Sequence, residues 1–369
     1  MSRPSVSETR FGSGRPFSLG VEEELFLVDP VTGAQANSSK AVIDRLADAD
    51  ALPGSVVQEL HACQVELVTG VCARADEAIG ALGRLRAAVL ETGAGLLGAG
   101  THPAAVEGTA EITDKDRYER IRDLLGDAAV TPVAALHVHV GMPDAATAIR
   151  AFNGLREHLP LLHALAANSP FRHGRDTGLA SAREVTIRSW PRSGVPPALA
   201  DFAGFRDVAE ALARAAGVPD YTWFWWKLRP HPRLGTVEVR ALDVQASLRD
   251  TAGLVALTHC LARDAAEMIV EHPSPAEIVD EGLFRAARFG TSAELPDRDG
   301  RLRPVQRLLD DALSIAARHA RELGCERELA IVPELLQFGG GAGRQRRFHE
   351  IAGMDALLRQ LTELTAAAA

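Results

Sequence analysis

The sequence predicts an α+β fold built around an antiparallel sheet. Segments that alternate apolar and polar residues are mixed irregularly with helical segments, and the regular βαβ rhythm that would predict a parallel sheet is absent. With 369 residues and 46% hydrophobic content, the chain can bury a large core. We expect a flexible leader over residues 1–14, which are rich in Ser, Arg and Gly, and a single catalytic domain over residues 15–369.

The order of elements follows from the local patterns. The stretch "FSLGVEEELFLVDP" at residues 17–30 alternates in polarity and predicts the first strand. Further extended segments are predicted within residues 56–70, 96–103, 135–142 and 221–245, the last as two strands joined through "RPHPRLG". Helices are predicted within residues 39–49, 74–97 and 144–171 and over most of the chain after residue 248. The polar segment 172–197, interrupted by Gly and Pro, is predicted as a loop that lines a site.

Composition excludes several classes of protein. The chain has 40 Lys and Arg against 49 Asp and Glu, and this net charge of -9 argues against general nucleic-acid binding. The four cysteines are far apart and include no CxxC motif, which favours a reducing compartment and argues against a structural zinc site. No apolar run reaches the length of a membrane span, so we expect a cytoplasmic protein without a membrane partner. The oligomeric state, monomer or homo-oligomer, stays open.

Four predicted strands each carry two polar residues at alternate positions. Side chains two apart on a strand lie on the same face, so each pair shares a face and leaves the other face apolar. The four pairs are Glu22 with Glu24, Gln64 with Glu66, His137 with His139, and Glu238 with Arg240. If these strands are neighbours, their common face presents several carboxylates and imidazoles with an arginine. Such a face would bind divalent cations through oxygen ligands.

Carboxylates with an imidazole and arginines suit Mg²⁺ that carries nucleotide phosphates. Other phosphate and metal motifs are missing: "GGGAGRQRR" lacks the GK[ST] ending of a P-loop, and no HExxH motif is present. If ATP binds, we therefore expect it to lie on a sheet with metal ions and not on a glycine-rich loop.

Together these motifs resemble one family. "GVEEELFLVDP", "QVELVTG", "LHVHVGM", "ANSPFRHGRDTGLASAREVTIRSWPRSGVP", "LRPHPRLGTVEVRALDVQ" and "GAGRQRR" occur in the order seen in carboxylate–amine ligases of the glutamate–cysteine ligase type 2 (YbdK-like) family. The resemblance runs from about residue 17 to residue 360. It implies the glutamine synthetase-like fold, a curved antiparallel sheet that forms a funnel with helices packed on its outer face. It also implies ATP-dependent amide formation through an acyl phosphate, with Mg²⁺ or Mn²⁺.

The resemblance also implies roles for individual residues. Metal ligands are expected at Glu22, Glu24, Glu59, Glu66, His139 and Glu238. Nucleotide contacts are expected from His137 or His139 and from Arg240, Arg344 and Arg346. Arg240 would stabilise the transferring phosphoryl group, and Arg183 and Arg229 would hold a substrate carboxylate or a phosphate. Glu23 points away from this face and is expected to be structural.

Each signal also has a structural interpretation. Glu22 and Glu24 could form a solvated sheet edge, Glu238 and Arg240 an ion pair that holds the sheet, and one of the two histidines a structural hydrogen bond. Arg183 and Arg229 could anchor loops, and "GAGRQRR" could simply open a helix. The aromatic cluster "YTWFWW" at residues 221–226 is interpreted as core and rim packing.

Three functional hypotheses remain. The leading one joins an amino-acid carboxylate, such as glutamate, to an amine, such as cysteine, and a variant of it joins other substrates in a specialised pathway. The others are a catalytically silent nucleotide- or metabolite-binding protein and a metal-dependent hydrolase. Departures from the family pattern at Leu179, Ala182 and Gly282 put the substrate in doubt more than the reaction type.

Overall fold

The computed structural model describes residues 9–47 and 51–367. The strands are β1 (Leu19–Val28), β2 (Gly54–Gln58), β3 (Gln64–Thr69), β4 (Gly95–Leu97), β5 (Ala135–Gly141), β6 (Phe171–Arg172), β7 (Arg175–Asp176), β8 (Leu228–His231), β9 (Thr236–Asp243), β10 (Glu294–Pro296) and β11 (Leu302–Pro304). The helices are α1 (Ser39–Leu46), α2 (Ala75–Glu91), α3 (Asp116–Leu125), α4 (Ala145–Ala166), α5 (Ala182–Ile187), α6 (Phe202–Ala216), α7 (Leu248–Glu267), α8 (Ala276–Phe289), α9 (Val305–Ala316), α10 (Ala320–Leu323), α11 (Glu326–Leu329), α12 (Gly340–Ala352) and α13 (Met354–Ala366).

A seven-stranded antiparallel sheet organises the chain. Its strand order is β2-β3-β1-β5-β9-β8, and β4 pairs with the end of β1 where the pairing of β1 with β5 stops. Two small hairpins, β6-β7 and β10-β11, lie outside it. The mixture of helices with an antiparallel sheet confirms the predicted fold class.

One face of the sheet carries the core. The alternate residues that do not belong to the polar pairs are fully buried, among them Val21, Leu67, Val138 and Val239. Helices α2, α4 and α7 cover this face. Burial of each such side chain contributes about 1.5–3 kcal/mol, so the alternation in the sequence fixes which face is turned to the helices.

Glu23 lies on this helix-covered face and is completely buried. Arg86 on α2 donates to both of its carboxylate oxygens, at 2.9 and 2.8 Å, and Thr251 on α7 donates to one at 3.0 Å. The remaining Arg86 donors bond the carbonyls of Ala246, Gln245 and Thr365. A buried charge is tolerated only when paired in this way, and the pair joins β1 to two helices and the chain end.

Several sequence-based boundaries differ from the structure. The segment predicted as a loop, 172–197, contains the hairpin β6-β7 and the short helix α5, and helices α3 and α6 had no counterpart among the predicted elements. Residues 1–8 of the predicted leader lie outside the described residues, but Arg10 and Gly12 donate backbone hydrogen bonds to Pro232 and Met142. The packed chain therefore begins before residue 15. Over residues 9–47 and 51–367, no helix is both long and apolar enough to cross a membrane.

Candidate active site

The face of the sheet opposite the helices forms the floor of a cavity of about 320 Å³. Five strands contribute the polar residues of this floor: Glu22, Glu24, Glu66, His137, His139, Arg229, Glu238 and Arg240. Helices α3 and α5, with the loops that follow β2 and α5, close the sides. A larger groove of about 820 Å³ between α3 and α6 has no comparable cluster of carboxylates and histidines among its lining residues.

Strand register explains why these side chains converge. Glu24 lies opposite Glu66, Glu22 opposite His137, and His139 opposite Glu238. Directly opposed residues of antiparallel strands point to the same face, with their Cβ atoms about 4.5–5.5 Å apart. The four polar pairs of the sequence therefore do share one face, as their spacing predicts.

Two groups of three ligand atoms form around His137. The first ligand group is Glu22, His137 and Glu238, and the second is Glu24, Glu66 and His137; within each, the atoms lie within 4.8 Å of one another. His137 Nδ1 is 3.0 Å from Glu22 Oε2, and Nε2 is 3.7 Å from Glu24 Oε1. Carboxylate oxygens with one imidazole suit Mg²⁺ or Mn²⁺.

His139 has a different environment. Its Nδ1 is 2.9 Å from Thr236 Oγ1, and its Nε2 lies 3.3 Å from Glu22 Oε1 and 3.7 Å from Glu238 Oε1. Burial lowers its pKa, but the two carboxylates outweigh burial and leave the pKa raised. In contrast, burial and Arg240 lower the pKa of His137 to about 4. Both ligand groups contain His137, and neither contains His139.

Burial and neighbouring charges shift the pKa values of the cavity carboxylates in different directions. Burial is the largest influence, and together with Glu59 it raises the pKa of Glu24 to about 8. Burial, then Glu22, Glu59 and Glu24, raises the pKa of Glu66 well above its ordinary value. Burial would also raise the pKa of Glu22, but His139 and His137 lower it below its ordinary range. Repulsion among Glu24, Glu59 and Glu66 adds to the effect of burial, and a bound cation would relieve it.

Glu59 reaches the cavity from the loop after β2. One of its carboxylate oxygens accepts from the Leu60 backbone N–H at 2.6 Å, and burial raises its pKa. It lies outside both ligand groups, although its charge contributes to the raised pKa of Glu24 and Glu66.

Three arginines bring positive charge to the floor. Arg229 donates to Glu238 through Nε at 2.9 Å and pairs with it through Nη2 at 2.8 Å, and Arg240 contacts the other oxygen of the same carboxylate. The ion-pair interpretation of Glu238 with Arg240 therefore describes a real contact.

The pairing of β5 with β9 shifts by one residue between Leu136 and Val138, which places Arg240 in a β-bulge opposite His137. Such bulges redirect a side chain next to an active site.

Arg183 is the least satisfied of the three. It is 5% exposed, and its Nε and Nη1 atoms are buried without a hydrogen-bond partner. Nη2 donates to the Arg240 carbonyl at 3.1 Å, and Asp243 is 3.7 Å from Nη1. Asp243 is already engaged by the Asn168 N–H and by the hydroxyls of Ser169 and Ser181. A guanidinium in this condition can pair with an anionic ligand.

The structure does not bring Arg344 and Arg346 of "GAGRQRR" to this cavity. Arg344 on α12 pairs with Asp250 on α7, and Arg346 pairs with Asp176 on β7, through Nε at 2.8 Å. Both arginines are outside the lining of the cavity. The glycines before them serve close packing instead, because a Cβ at Gly341 would lie 2.5 Å from Asn168 Oδ1.

Lining residues that sequence reasoning missed include Arg117, Tyr118, Ile121, Trp190, Trp225 and His231. Arg117, Tyr118 and Ile121 belong to α3, whose amphipathic pattern carries no chemical motif. Trp225 is part of "YTWFWW", and the other members of that cluster, Tyr221, Trp223, Phe224 and Trp226, are buried as the packing interpretation expects. Alternation in "QVELVT" does place Gln64 beside Glu66, and Gln64 also lines the cavity.

Comparison with known proteins identifies the family of the chain. Residues 18–363 match the family model of glutamate–cysteine ligase family 2 (GCS2). A protein of Rubrobacter xylanophilus that bears a provisional name, glutamate–cysteine ligase 2-3, is 41% identical over 366 residues, which cover 97% of this chain and 100% of the relative.

Two solved structures share the fold. A glutamate–cysteine ligase from Francisella tularensis, in complex with AMP, has a TM-score of 0.68 at 13% identity and covers 95% of this chain and 89% of that one. A bifunctional glutathione synthetase from Pasteurella multocida has a TM-score of 0.66 at 20% identity, with 95% and 51% covered. The structural matches confirm the fold expected from the resemblance, and the family match defines the class of enzyme. The chain is therefore a ligase that belongs to glutamate–cysteine ligase family 2.

Proposed function

We propose that this ligase uses ATP to join an amino-acid carboxylate, such as glutamate, to an amine, such as cysteine, through an acyl phosphate. The observation that carries the proposal is the pair of ligand groups that share His137, set among three arginines in one cavity. The AMP bound to the Francisella tularensis ligase supports nucleotide use by a protein of this fold. All four cysteines are free thiols, including Cys260 and Cys325, whose sulfurs lie 3.5 Å apart, and this supports a cytoplasmic location.

The donor set fits Mg²⁺ or Mn²⁺. Glu22, Glu24, Glu66, His137 and Glu238 would hold the ions, which supply charge neutralisation at the phosphates of ATP. Burial raises the pKa of Glu24 and of Glu66, and repulsion from neighbouring carboxylates adds to it, so a bound cation would favour the ionised form of both groups. Glu59 lines the same cavity outside both ligand groups and would act on the ions through its charge.

The residues of the chain then have distinct tasks. The substrate carboxylate attacks the γ-phosphorus, ADP departs, and the amine displaces phosphate from the acyl carbon to give the amide. Arg240 lies in the bulge opposite His137, where it can stabilise the transferring phosphoryl group. Arg183 offers unpartnered donors to a substrate carboxylate, and Arg229 holds Glu238 in place through two contacts. No side chain needs to act as a nucleophile, so positioning and electrostatics supply the rate.

The test is ADP release by purified protein with Mg²⁺ and ATP across a grid of amino acids and amines, with mass detection of products. Glu22→Gln should abolish release, whereas Glu91→Gln, which alters an exposed carboxylate at the end of α2, should leave it unchanged. ATP binding without acid-dependent release anywhere on the grid would support the silent binding protein instead. Turnover without ATP would support the hydrolase.

A further inference from the structure

One side of the cavity has no task in the metal and phosphate chemistry. Six apolar residues line it: Leu60, Ile121, Val133, Ile187, Trp190 and Trp225, here called the apolar wall. Most of these residues belong to, or pack against, a hydrophobic cluster that is separate from the main core. Metal ions and phosphates gain nothing from apolar contacts. Four of the six residues are at most 8% exposed, whereas Val133 and Trp225 are half-buried and present the apolar surface that a ligand can cover. Burial of such surface contributes about 25 cal/mol per Å², so this wall favours an apolar ligand group.

The aromatic part of the wall is held rigidly. The rings of Trp190 and Trp225 meet edge to face, 5.2 Å apart at 85°. Trp190 donates its indole N–H to the Ala128 carbonyl at 2.9 Å, and the Arg192 guanidinium lies 5.4 Å from the Trp225 ring. Because these contacts already hold both rings, the two side chains lose little conformational entropy when a ligand packs against them. Such pre-ordering is typical of a recognition surface.

The wall continues directly from the unpartnered arginine. Arg183, Ile187 and Trp190 are four and then three positions apart along α5 and the turn after it, and all three line the cavity. At this spacing side chains follow one another on one face of a helical segment. A ligand with its carboxylate on Arg183 would thus place a neighbouring group against Ile187 and Trp190.

We propose that one of the two substrates is an amino acid with a bulky apolar side chain, of the size of leucine or phenylalanine. Its carboxylate pairs with Arg183 and its side chain packs on the apolar wall. This inference rests on the proposed ligase function and narrows its substrate class. A cysteine side chain, with a single thiol, would cover less of the exposed surface of Val133 and Trp225 than a leucine or phenylalanine side chain would.

The test measures ADP release and product mass with glutamate paired in turn with glycine, alanine, serine, cysteine, valine, leucine and phenylalanine, and with each of these amino acids alone. We expect kcat/KM to be higher for leucine or phenylalanine than for cysteine by about tenfold or more. Ile121→Ala should reduce that preference by about tenfold by raising the KM for leucine and phenylalanine, and it should leave the KM for ATP unchanged. Leu124→Ala is a control on the same helix, because Leu124 is 43% exposed and lines the separate groove.

Direct binding gives a second readout. Titration of leucine, phenylalanine and cysteine against the intrinsic fluorescence of Trp190 and Trp225 should show tighter binding of the apolar amino acids, weakened in Ile121→Ala. Preference for cysteine in both measurements would overturn the inference and leave the ligase function standing. A change confined to the KM for ATP would also overturn it, because the wall would then hold the adenine. If no pair supports ADP release, the proposed function fails, and the fluorescence titration still decides the substrate class.

Discussion

The three consecutive glutamates of β1 provide a sharp test, because alternation gives neighbouring residues opposite roles. Glu23→Gln changes only a charge, but it leaves the buried Arg86 guanidinium without its partner. Removal of one member of a buried ion pair costs about 3–5 kcal/mol. Three carbonyl groups continue to accept from Arg86, so we expect the lower end, about 3 kcal/mol, in the free energy of unfolding.

Glu24→Gln, one residue further, should behave in the opposite way. Its carboxylate accepts from the Ala135 N–H at 2.7 Å, a contact that the glutamine carbonyl can keep. The substitution removes repulsion from Glu59 and Glu66, so the metal-free protein should lose no stability and should lose metal affinity instead.

Urea unfolding followed by tryptophan fluorescence, in EDTA, measures both free energies. The double variant Glu23→Gln/Arg86→Met should recover at least about 1 kcal/mol relative to the sum of the single variants, because neither charge is then left unpaired. Equal destabilisation by Glu23→Gln and Glu24→Gln would refute the assignment of the two faces.

The remaining predictions concern charge, metal affinity and the basic helix. In EDTA, wild-type protein should lose about 1–3 kcal/mol of stability relative to Glu24→Gln as the pH rises from 5 to 8. The reason is that the Glu24 pKa is near 8 in the folded state, so the folded state binds more protons than the unfolded state between these pH values. A difference in urea unfolding that does not change with pH would contradict this prediction. Measured by calorimetry, His137→Asn should weaken Mn²⁺ binding by about 100-fold and His139→Asn by about tenfold or less, because His137 belongs to both ligand groups. The reverse order of the two effects would make His139 the ligand. Arg344→Ala and Arg346→Ala should change the KM for ATP by no more than about twofold, since both arginines pair outside the cavity; a large rise in either would restore them to the nucleotide site.

Much of the site could be predicted because it depends on a period of two. Antiparallel pairing places opposed residues on one face, so the spacing of Glu22 with Glu24 and of Glu238 with Arg240 was enough to predict a charged floor. The same rule placed Glu23 among the helices. The family resemblance supplied what spacing cannot, namely that the strands of this floor are neighbours.

Other features depend on tertiary contacts that carry no local signal. The β-bulge that sets Arg240 opposite His137 arises from a one-residue shift between two strands distant in sequence. Helices α3 and α5 close the cavity through packing of Ile121 and Ile187 in a secondary cluster. The basic segment of α12 is held away from the cavity because Gly341 allows close approach to Asn168 and because Asp250 and Asp176 lie within reach.

The acyl phosphate is the central claim, and isotope transfer tests it most directly. The acid substrate identified on the grid is labelled with ¹⁸O in its carboxylate and turned over with Mg²⁺, ATP and its amine, and the released phosphate is analysed by mass spectrometry. Attack of the carboxylate on the γ-phosphorus predicts that each phosphate carries one substrate oxygen. Unlabelled phosphate, or release of AMP with pyrophosphate in place of ADP, would contradict the mechanism.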